Sequence, residues 1–406
     1  MHGMEASNGS THLRAEGELH PDMNRRAEPP FGQGRADGTR PSFSHGFKVQ
    51  ELTSSGEAAS RTGWLAPVLA GSAAALGAMA LYTNARTRDA EHQYPPIGRF
   101  MTVDGVRLHY VERGQGEPLV LIHGSGTMIQ DFTISGIVDR LAERYRVIVF
   151  DRPGYGYSER PRRLWTPQAH AHLFSKAFAR LGIEGAVVLG HSWASLIAVS
   201  LALEYPLLVR GLVLASGYYY PTVRADTFLF SPPAIPVIGD VMRHTISPVV
   251  ARLMLPRLIG KMFEPAPVPE HFDRLMPKEL MLRPSQLRAG AEDAALMIPA
   301  AMRLQERYRE LEAPVVIITG ADDQIADVGR QSERLHHELT GSELMTLPGV
   351  GHMIHHLAPD EVIEAIDRAA HRSSEGTKAD AKSAQHRPSQ REAATRNEAA
   401  ASEALP

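Results

Sequence analysis

The chain has 406 residues, with 43 basic and 46 acidic side chains and a formal net charge of -3. This balance provides no strongly basic face for nucleic-acid phosphates, so we exclude a nucleic-acid partner. The sequence contains no cysteine, which excludes disulfides, thiolate metal sites and a cysteine nucleophile. The length fits one catalytic-sized domain with additional segments.

The first segments of the chain are a polar tail and an apolar run. Residues 1–62 are rich in Gly, Pro, Ser, Arg and Glu without a sustained apolar period, which predicts a disordered N-terminal tail. The uncharged stretch from Trp64 to Tyr82 has nearly the length that crosses a hydrocarbon core of ~30 Å. Aromatic residues at both ends suit the membrane interface. We therefore expect residues 63–83 to form a single-span membrane anchor.

Two alternatives remain for this apolar run. It is either an Ala-rich helix packed on the body of the protein or a secretory hydrophobic region with Ala78–Ala80 as its cleavage site, although the long preceding tail disfavours the second. Nearby basic residues are slightly more numerous after the run than before it (Lys48 and Arg61 against Arg86, Arg88 and Arg99). This excess favours a cytoplasmic catalytic domain. A soluble cytoplasmic protein is the alternative.

From Arg99 onward, short apolar runs alternate with amphipathic segments. A hairpin is predicted at residues 99–103 and 106–111, around the turn dipeptide Asp104-Gly105. Buried strands are predicted at residues 118–122, 146–150, 186–189, 211–215, 314–319 and 343–347. This order predicts an α/β domain with a mostly parallel central sheet and flanking helices.

The rhythm of strands and helices is interrupted once. Residues 217–299 contain helical patches rich in Pro, Met, Leu and Phe but no strand pattern, so we expect an inserted helical cap. The core is then formed by residues 99–216 and 300–372. Residues 373–406 lack large hydrophobic side chains apart from a single leucine and are predicted to form a disordered C-terminal tail.

One segment joins an apolar strand directly to a helix-forming stretch. Residues 187–194, VVLGHSWA, lead into Leu196 to Glu204. A serine on such a strained turn projects its Oγ clear of the sheet, and the pattern resembles the nucleophile elbow of the α/β-hydrolase family. Ala194 stands where that family usually has glycine. The resemblance makes Ser192 the nucleophile, whereas the structural alternative is a serine that caps a helix.

Two further loops carry the same resemblance. Residues 120–126, VLIHGSG, end a strand as the family's oxyanion loop does. This implies that the backbone N–H groups of Ser125 and Trp193, with Gly124 beside them, hold the oxyanion or substrate. Residues 151–158, DRPGYGYS, match the family's structural loop D-x-P-G-x-G-x-S, for which no catalytic role is expected.

The remaining members of the implied triad lie late in the chain. Residues 347–352, LPGVGH, resemble the family's histidine loop and make His352 the general base. In residues 319–325, TGADDQI, the family spacing selects Asp323 over Asp322 as the acid that orients it. His352, His355 and His356 form an alternative set of metal ligands, but no HExxH-type motif accompanies them. We expect neither a metal nor an organic cofactor.

These motifs, distributed from Arg99 to about Arg372, imply a serine hydrolase that works through an acyl-enzyme. Ser192 excludes the dehalogenase and epoxide hydrolase chemistry of this fold, which uses an aspartate at the elbow. The apolar cap, including Tyr218, Tyr219, Tyr220, Phe228, Phe230, Ile235, Ile238 and Met242, favours a small apolar carboxylic ester or lipid-like substrate.

Several alternatives to an esterase stay open. A carbon-carbon bond hydrolase is one, because residues 123–126, HGSG, resemble the oxyanion loop of that group. Thr127-Met128 stands where that group usually continues with Pro-Gly. A serine-type haloperoxidase is the second alternative. A non-catalytic ligand-binding member of the fold is the third. The sequence leaves the natural substrate and the oligomeric state open.

Overall fold

The computed structural model describes residues 64–222 and 231–385, with side chains as far as Ser374. The predicted N-terminal tail, the cap residues Phe228 and Phe230, and residues 386–406 lie outside the described residues.

The centre of the protein is an eight-stranded sheet in the order β1-β2-β4-β3-β5-β6-β7-β8. The strands are Arg99–Val103 (β1), Val106–Arg113 (β2), Glu117–Ile122 (β3), Tyr145–Phe150 (β4), Ala186–His191 (β5), Val209–Ala215 (β6), Val315–Gly320 (β7) and Glu343–Leu347 (β8). β1 and β2 form an antiparallel hairpin, β2 pairs antiparallel with β4, and all later pairs are parallel. The predicted mostly parallel sheet is confirmed.

Helices cover both faces of this sheet. The described helices are Leu65–Gln93 (α1), Gln130–Thr133 (α2), Ile137–Leu141 (α3), Pro167–Arg180 (α4), Ala194–Glu204 (α5), Ile238–His244 (α6), Ile246–Phe263 (α7), Glu270–Leu275 (α8), Lys278–Met281 (α9), Pro284–Leu304 (α10), Arg334–Glu338 (α11), Ile354–Leu357 (α12) and Pro359–Gln385 (α13). α4 and α5 bury apolar side chains against one face, and α3 and α13 against the other. Both faces of the central strands are therefore apolar, as a parallel sheet requires.

Close packing of strand and helix depends on small residues at β5 and α5. A Cβ at Gly190 would lie 2.6 Å from the carbonyl oxygen of Ala194, so only glycine permits this approach. Ala194 is itself fully buried, and its methyl group fits where the family motif usually has glycine. The turn between β5 and α5 is thus held in a tight geometry by residues on both sides of it.

The described part of the interval between β6 and β7 is largely helical, and its last helix extends beyond the predicted end of the cap at residue 299. α10 runs from Pro284 to Leu304 with Pro299 inside it. A proline removes one backbone hydrogen bond, but the turns that follow bury Ala300, Ala301 and Leu304 against the core. The packing of this last part sustains the helix past the proline.

α1 is longer than the predicted anchor and has two different halves. An 18-residue window in this 29-residue helix has a mean hydropathy of 1.6 and no buried residue. Further along, Thr83 and Ala90 are buried, and the helix contacts α6, α7 and α9. The described part of the chain therefore contains one helix that is long and apolar enough to cross a membrane, and its second half packs on the cap.

α13 continues to Gln385, whereas the disordered tail was predicted to begin at residue 373. The residues from 373 to 385 are mostly Ala, Lys, Ser and Glu. Ala, Lys and Glu have high intrinsic helix propensity, so this composition favours continuation of a helix that starts by packing on the sheet.

Candidate active site

Ser192 occupies a strained backbone conformation at the end of β5. Its φ angle is 56°, in the left-handed region that non-glycine residues seldom adopt. The backbone N–H of Ser192 donates to the carbonyl oxygen of Ala215, at 2.9 Å, at the end of the neighbouring strand β6. The side chain is partly exposed. The elbow therefore presents Oγ at the carboxyl edge of the sheet.

Three side chains from separate loops form a hydrogen-bonded series. Nδ1 of His352 lies 2.7 Å from Oδ2 of Asp323, and Nε2 of His352 lies 2.9 Å from Oγ of Ser192. Because a carboxylate only accepts, Nδ1–H donates to Asp323, and Nε2 of the neutral ring accepts from the serine hydroxyl. This is the geometry in which a histidine removes a proton from a serine.

Asp323 is held rigidly by its own loop. Its Oδ1 accepts hydrogen bonds from the backbone N–H of Ile325 at 2.7 Å and of Ala326 at 2.9 Å, while its side chain is fully buried. The neighbouring Asp322 points elsewhere and accepts from the N–H of Gly349 at 2.9 Å. The two adjacent carboxylates thus face different groups, and only Asp323 contacts His352.

The cap helps to fix the loop that carries His352. The backbone N–H of His352 donates to the carbonyl oxygen of Met262 in α7 at 3.1 Å. A Cβ at Gly351 would lie 2.2 Å from the carbonyl oxygen of Glu264, so glycine is required for this contact. Movement of α7 would therefore displace the histidine loop. The sequence motif predicted His352 but not this dependence on the cap.

The loop after β3 lies directly beside Ser192. A Cβ at Gly124 would be 3.2 Å from the Cβ of Ser192, so the absence of a side chain at this position lets the loop approach. Ser125 follows Gly124 in this loop, and Trp193 begins the turn into α5. The two predicted oxyanion donors are therefore on the two segments that adjoin Ser192.

His123 braces this loop. Nε2 of His123 accepts from the N–H of Arg152 at 3.0 Å, and Nδ1 donates to the carbonyl oxygen of Gly124 at 2.8 Å. Burial, together with the charge of Arg152, lowers the pKa of His123 to about 4. The ring is thus neutral at pH 7 and uses both nitrogens structurally.

A buried ion pair connects the same loop to the cap. The Arg152 guanidinium donates to the carbonyl oxygens of His123 and Gly124, each at 2.9 Å, and to Oδ2 of Asp293 in α10 at 2.8 Å. The hydroxyl of Tyr155 donates to the same carboxylate oxygen at 2.6 Å. Burial acts to raise the pKa of Asp293, but Arg152 and Arg160 outweigh it and lower that pKa.

The network of Arg152, Tyr155 and Asp293 was not predicted from the sequence. The loop that carries Arg152 and Tyr155 was expected to have only a structural role. The hydroxyl of Tyr155 lies 3.0 Å from Oγ of Ser125, and the indole N–H of Trp193 donates to the carbonyl oxygen of Asp293 at 3.1 Å. Both residues predicted at the oxyanion position are therefore linked to one cap residue. Asp293 is 141 residues from Arg152 along the chain, so no local sequence pattern could indicate that the two residues pair.

The other histidines near His352 have separate partners. His355 and His356 are buried, and one ring nitrogen of each lies close to Oδ1 of Asp131, at 3.0 and 3.1 Å. His191 is also buried, and its Nε2 donates to the carbonyl oxygen of His352 at 3.1 Å. The set of His352, His355 and His356 considered from sequence is therefore divided, because His352 contacts Ser192 and Asp323.

Apolar side chains of the cap pack against the histidine loop and the loop after β3. The cluster contains Met128, Ile259, Phe263, Phe272, Met276, Leu280 and Met353, together with Ala90 of α1. Tyr218, Tyr219 and Tyr220, predicted as candidate liners of a cleft, belong instead to the core cluster of α4 and α5. Ile235 and Ile238 are exposed.

Comparison with known proteins identifies related sequences and folds. A sequence model of the family described as the alpha/beta hydrolase fold matches residues 117–359. Haloalkane dehalogenase 2 of Mycobacterium tuberculosis is 28% identical over 287 residues, 67% of this chain and 94% of that protein. A 2-hydroxymuconate semialdehyde hydrolase of Pseudomonas sp. (strain CF600) is 37% identical over 142 residues, 33% of this chain and 48% of that protein.

Solved structures share the same architecture. The crystal structure of a membrane phospholipase A, described as a bacterial virulence factor, matches with a TM-score of 0.53 and 21% identity, covering 76% of this chain and 97% of that one. At this identity the likeness is one of fold.

Proposed function

Because the chain belongs to the α/β-hydrolase fold family, we propose that it is a serine hydrolase that cleaves an apolar carboxylic ester. Ser192 is the nucleophile, His352 the general base and Asp323 the acid that orients the histidine. The observation that carries this proposal is the unbroken series of contacts from Ser192 Oγ through His352 to Asp323, with distances of 2.9 and 2.7 Å. The strained φ of Ser192 is a second, independent support.

The geometry suggests the following course of reaction. His352 takes the hydroxyl proton of Ser192 as Oγ attacks the acyl carbon, and Asp323 stabilises the imidazolium that forms. The backbone N–H groups of Ser125 and Trp193, with Gly124 leaving space, stabilise the oxyanion, an effect worth about 3 to 4 kcal/mol for each donor. His352 then returns the proton to the leaving alcohol. Water attacks the acyl-enzyme by the reverse sequence, which frees the acid and restores Ser192.

One feature of the site favours an apolar substrate. Met128 and Met353 follow the oxyanion loop and His352 closely in sequence, and both are buried in the apolar cluster of the cap. Apolar surroundings of this kind suit the hydrocarbon part of a substrate. A small apolar ester or a lipid-like ester is thus the proposed substrate class.

The test uses a fluorophosphonate probe and p-nitrophenyl esters of increasing acyl length. We expect labelling and turnover by the wild type, loss of both in Ser192→Ala, and loss of turnover in His352→Ala. Ser285→Ala and His337→Ala change exposed residues of the same types and should retain full activity. No labelling of a folded wild type would contradict an activated serine. A maximum at one acyl length would measure the size of the acyl pocket.

A carbon-carbon bond hydrolase is the second candidate. The observation that favours it is the 37% identity over 142 residues to 2-hydroxymuconate semialdehyde hydrolase. A vinylogous diketone, tested beside the esters, distinguishes the two functions. A carbon-carbon bond hydrolase would cleave the diketone and turn over the esters slowly. The Ser192 and His352 variants would abolish cleavage of the diketone. Haloalkane dehalogenase chemistry is not proposed, since that reaction in this fold uses an aspartate at the position of Ser192.

We further propose that α1 attaches the enzyme to a membrane. Its exposed apolar half is 18 residues long, about 27 Å at 1.5 Å per residue. The second half is fixed to the cap by ion pairs of Arg86 with Glu279 at 3.2 Å and of Glu91 with Arg283 at 2.9 Å. α6 and α7, which contact α1, expose large apolar side chains: Ile238, Val241, Ile246, Val250 and Leu253. An apolar surface beside an anchor suits contact with lipid.

A further inference from the structure

Three side chains of types that commonly bind metal ions form a compact cluster beside the candidate active site. One ligand atom each from Asp131, His191 and His355 lies within 4.8 Å of the other two, and all three residues are buried. His191 immediately precedes Ser192, and His355 follows His352 by three residues. Asp131 is in α2, after the loop that begins at His123. The cluster therefore joins the three segments that form the catalytic centre.

Several polar atoms of this cluster have no hydrogen-bond partner. They are Oδ2 of Asp131, Nδ1 of His191, and both ring nitrogens of His355. His191 donates through Nε2 to the carbonyl oxygen of His352, so Nδ1 of the neutral ring carries a lone pair. Oδ2 of Asp131 likewise offers only lone pairs. Two buried acceptors without donors are costly unless a cation or a donor lies between them.

The charge of Asp131 supports the same conclusion. Its side chain is fully buried, and its recorded ion-pair contacts among the described residues are with the imidazoles of His355 and His356. Nε2 of His355 lies 3.0 Å from Oδ1 but lacks hydrogen-bond alignment. A buried carboxylate requires a compensating positive charge. Among the described residues, no arginine or lysine forms an ion pair with Asp131, and a bound cation would supply this charge.

We propose that Asp131, His191 and His355 bind one divalent transition-metal ion. Two imidazoles and a carboxylate are ligands that suit Zn²⁺. Two ligand atoms of one tetrahedral Zn²⁺ are about 3.3 to 3.5 Å apart, so no pair of these ligand atoms needs to close by more than about 1.5 Å. His356 donates through Nε2 to Oδ1 of Asp131 at 3.1 Å and orients the carboxylate, as outer partners of metal ligands commonly do.

The role of such an ion follows from its position. His191 contacts the backbone of His352 and precedes Ser192 in the chain. It would cross-link the histidine loop, the nucleophile elbow and α2, and so hold the triad in register. The ion would take no part in the chemistry of ester cleavage, and this proposal does not depend on the identity of the substrate.

Metal binding is measured directly on the full-length protein. After treatment with EDTA and gel filtration, the protein is titrated with Zn²⁺ against a chromophoric chelator, and bound zinc is counted by plasma mass spectrometry. The variants Asp131→Asn and His355→Gln each remove a ligand with little change of shape. His336→Gln/His337→Gln removes another adjacent histidine pair, in α11, and serves as the control for binding at the surface.

We expect the wild type and the control to bind one tight Zn²⁺, and Asp131→Asn and His355→Gln to bind it at least tenfold more weakly. Equal zinc content in the wild type and both ligand variants would overturn the proposal. If the variants fail to fold, Co²⁺ added to the wild type decides. Visible d–d absorption of a tetrahedral site, abolished by one equivalent of Zn²⁺, supports the site, and its absence overturns it. Fluorophosphonate labelling is scored separately, so failure of the metal site is distinguishable from failure of the hydrolase.

Discussion

Replacement of Asp293 by asparagine tests the link between the cap and the oxyanion loop. Its Oδ2 accepts from Arg152 at 2.8 Å and from Tyr155 at 2.6 Å, and the side chains of Arg152 and Asp293 have no exposed area. Asparagine keeps the shape but leaves the buried guanidinium without its counter-charge. Breaking a pair of this kind costs about 3 to 5 kcal/mol. At about 2 to 4 °C per kcal/mol for a large domain, the melting temperature should fall by about 6 to 20 °C.

Activity should fall as well, because Arg152 also holds the carbonyl oxygens of His123 and Gly124. If those carbonyls turn, the adjoining N–H of Ser125 leaves its position. A misplacement of about 1 Å can reduce turnover by about 10²-fold. The measurement combines denaturant unfolding with ester turnover well below the melting temperature. A loss of kcat at constant fluorophosphonate binding would indicate a displaced loop rather than a missing nucleophile.

The matched control is Glu204→Gln. Glu204 pairs with Arg307 at 2.5 Å, but both side chains are more than a third exposed, so its removal should cost less than about 1 kcal/mol. Arg152→Met should destabilise the protein like Asp293→Asn, and the double variant should lose less than the sum of the two. A free energy of unfolding for Asp293→Asn within about 1 kcal/mol of the wild type would refute the reasoning.

Three further predictions concern the triad, the pH dependence of stability and the anchor. Asp323→Asn should lower kcat by about 10⁴-fold, since the histidine loses its orienting acceptor; Asp322→Asn should change it little, and equal losses would point to a wrong choice of acid. Burial, aided by Arg152 and Arg160, lowers the pKa of His170 to about 3 from 6.5. The unfolded chain therefore binds a proton that the folded protein does not, and stability falls as the pH drops below about 6.5. When the pH is lowered from 7 to 5, the free energy of unfolding should decrease by about 2 kcal/mol less in His170→Phe than in the wild type. An equal decrease in both proteins would contradict a neutral His170. A charge at the middle of a bilayer costs about 2.5 to 3.5 kcal/mol, so Ala74→Arg should shift the protein from carbonate-washed membranes to the supernatant. Leu207→Arg, at an exposed leucine in another part of the chain, should not, and unchanged partition of both would exclude insertion of α1.

Local sequence pattern was sufficient for the sheet and for the position of the candidate site within it. Each strand of the sheet was predicted within two residues of its observed bounds, because buried parallel strands are short apolar runs between turn residues. Ser192 and His352 stand in loops whose sequences resemble those of a known family. The two loops follow β5 and β8, which are parallel strands of one sheet, so their carboxyl ends lie at the same edge. Both residues could therefore be predicted without a structure.

Other features were decided by packing between distant parts of the chain. The pairing of Arg152 with Asp293 joins residues 141 positions apart, and neither has a local pattern that names its partner. α1 was predicted to end near residue 83, but its second half continues as a helix because it packs on the cap. Asp131 lies in a histidine cluster because the tertiary fold places α2 against His355 and His356. Periodicity and turn chemistry are properties of neighbouring residues, whereas partners for buried charges are chosen by the tertiary fold.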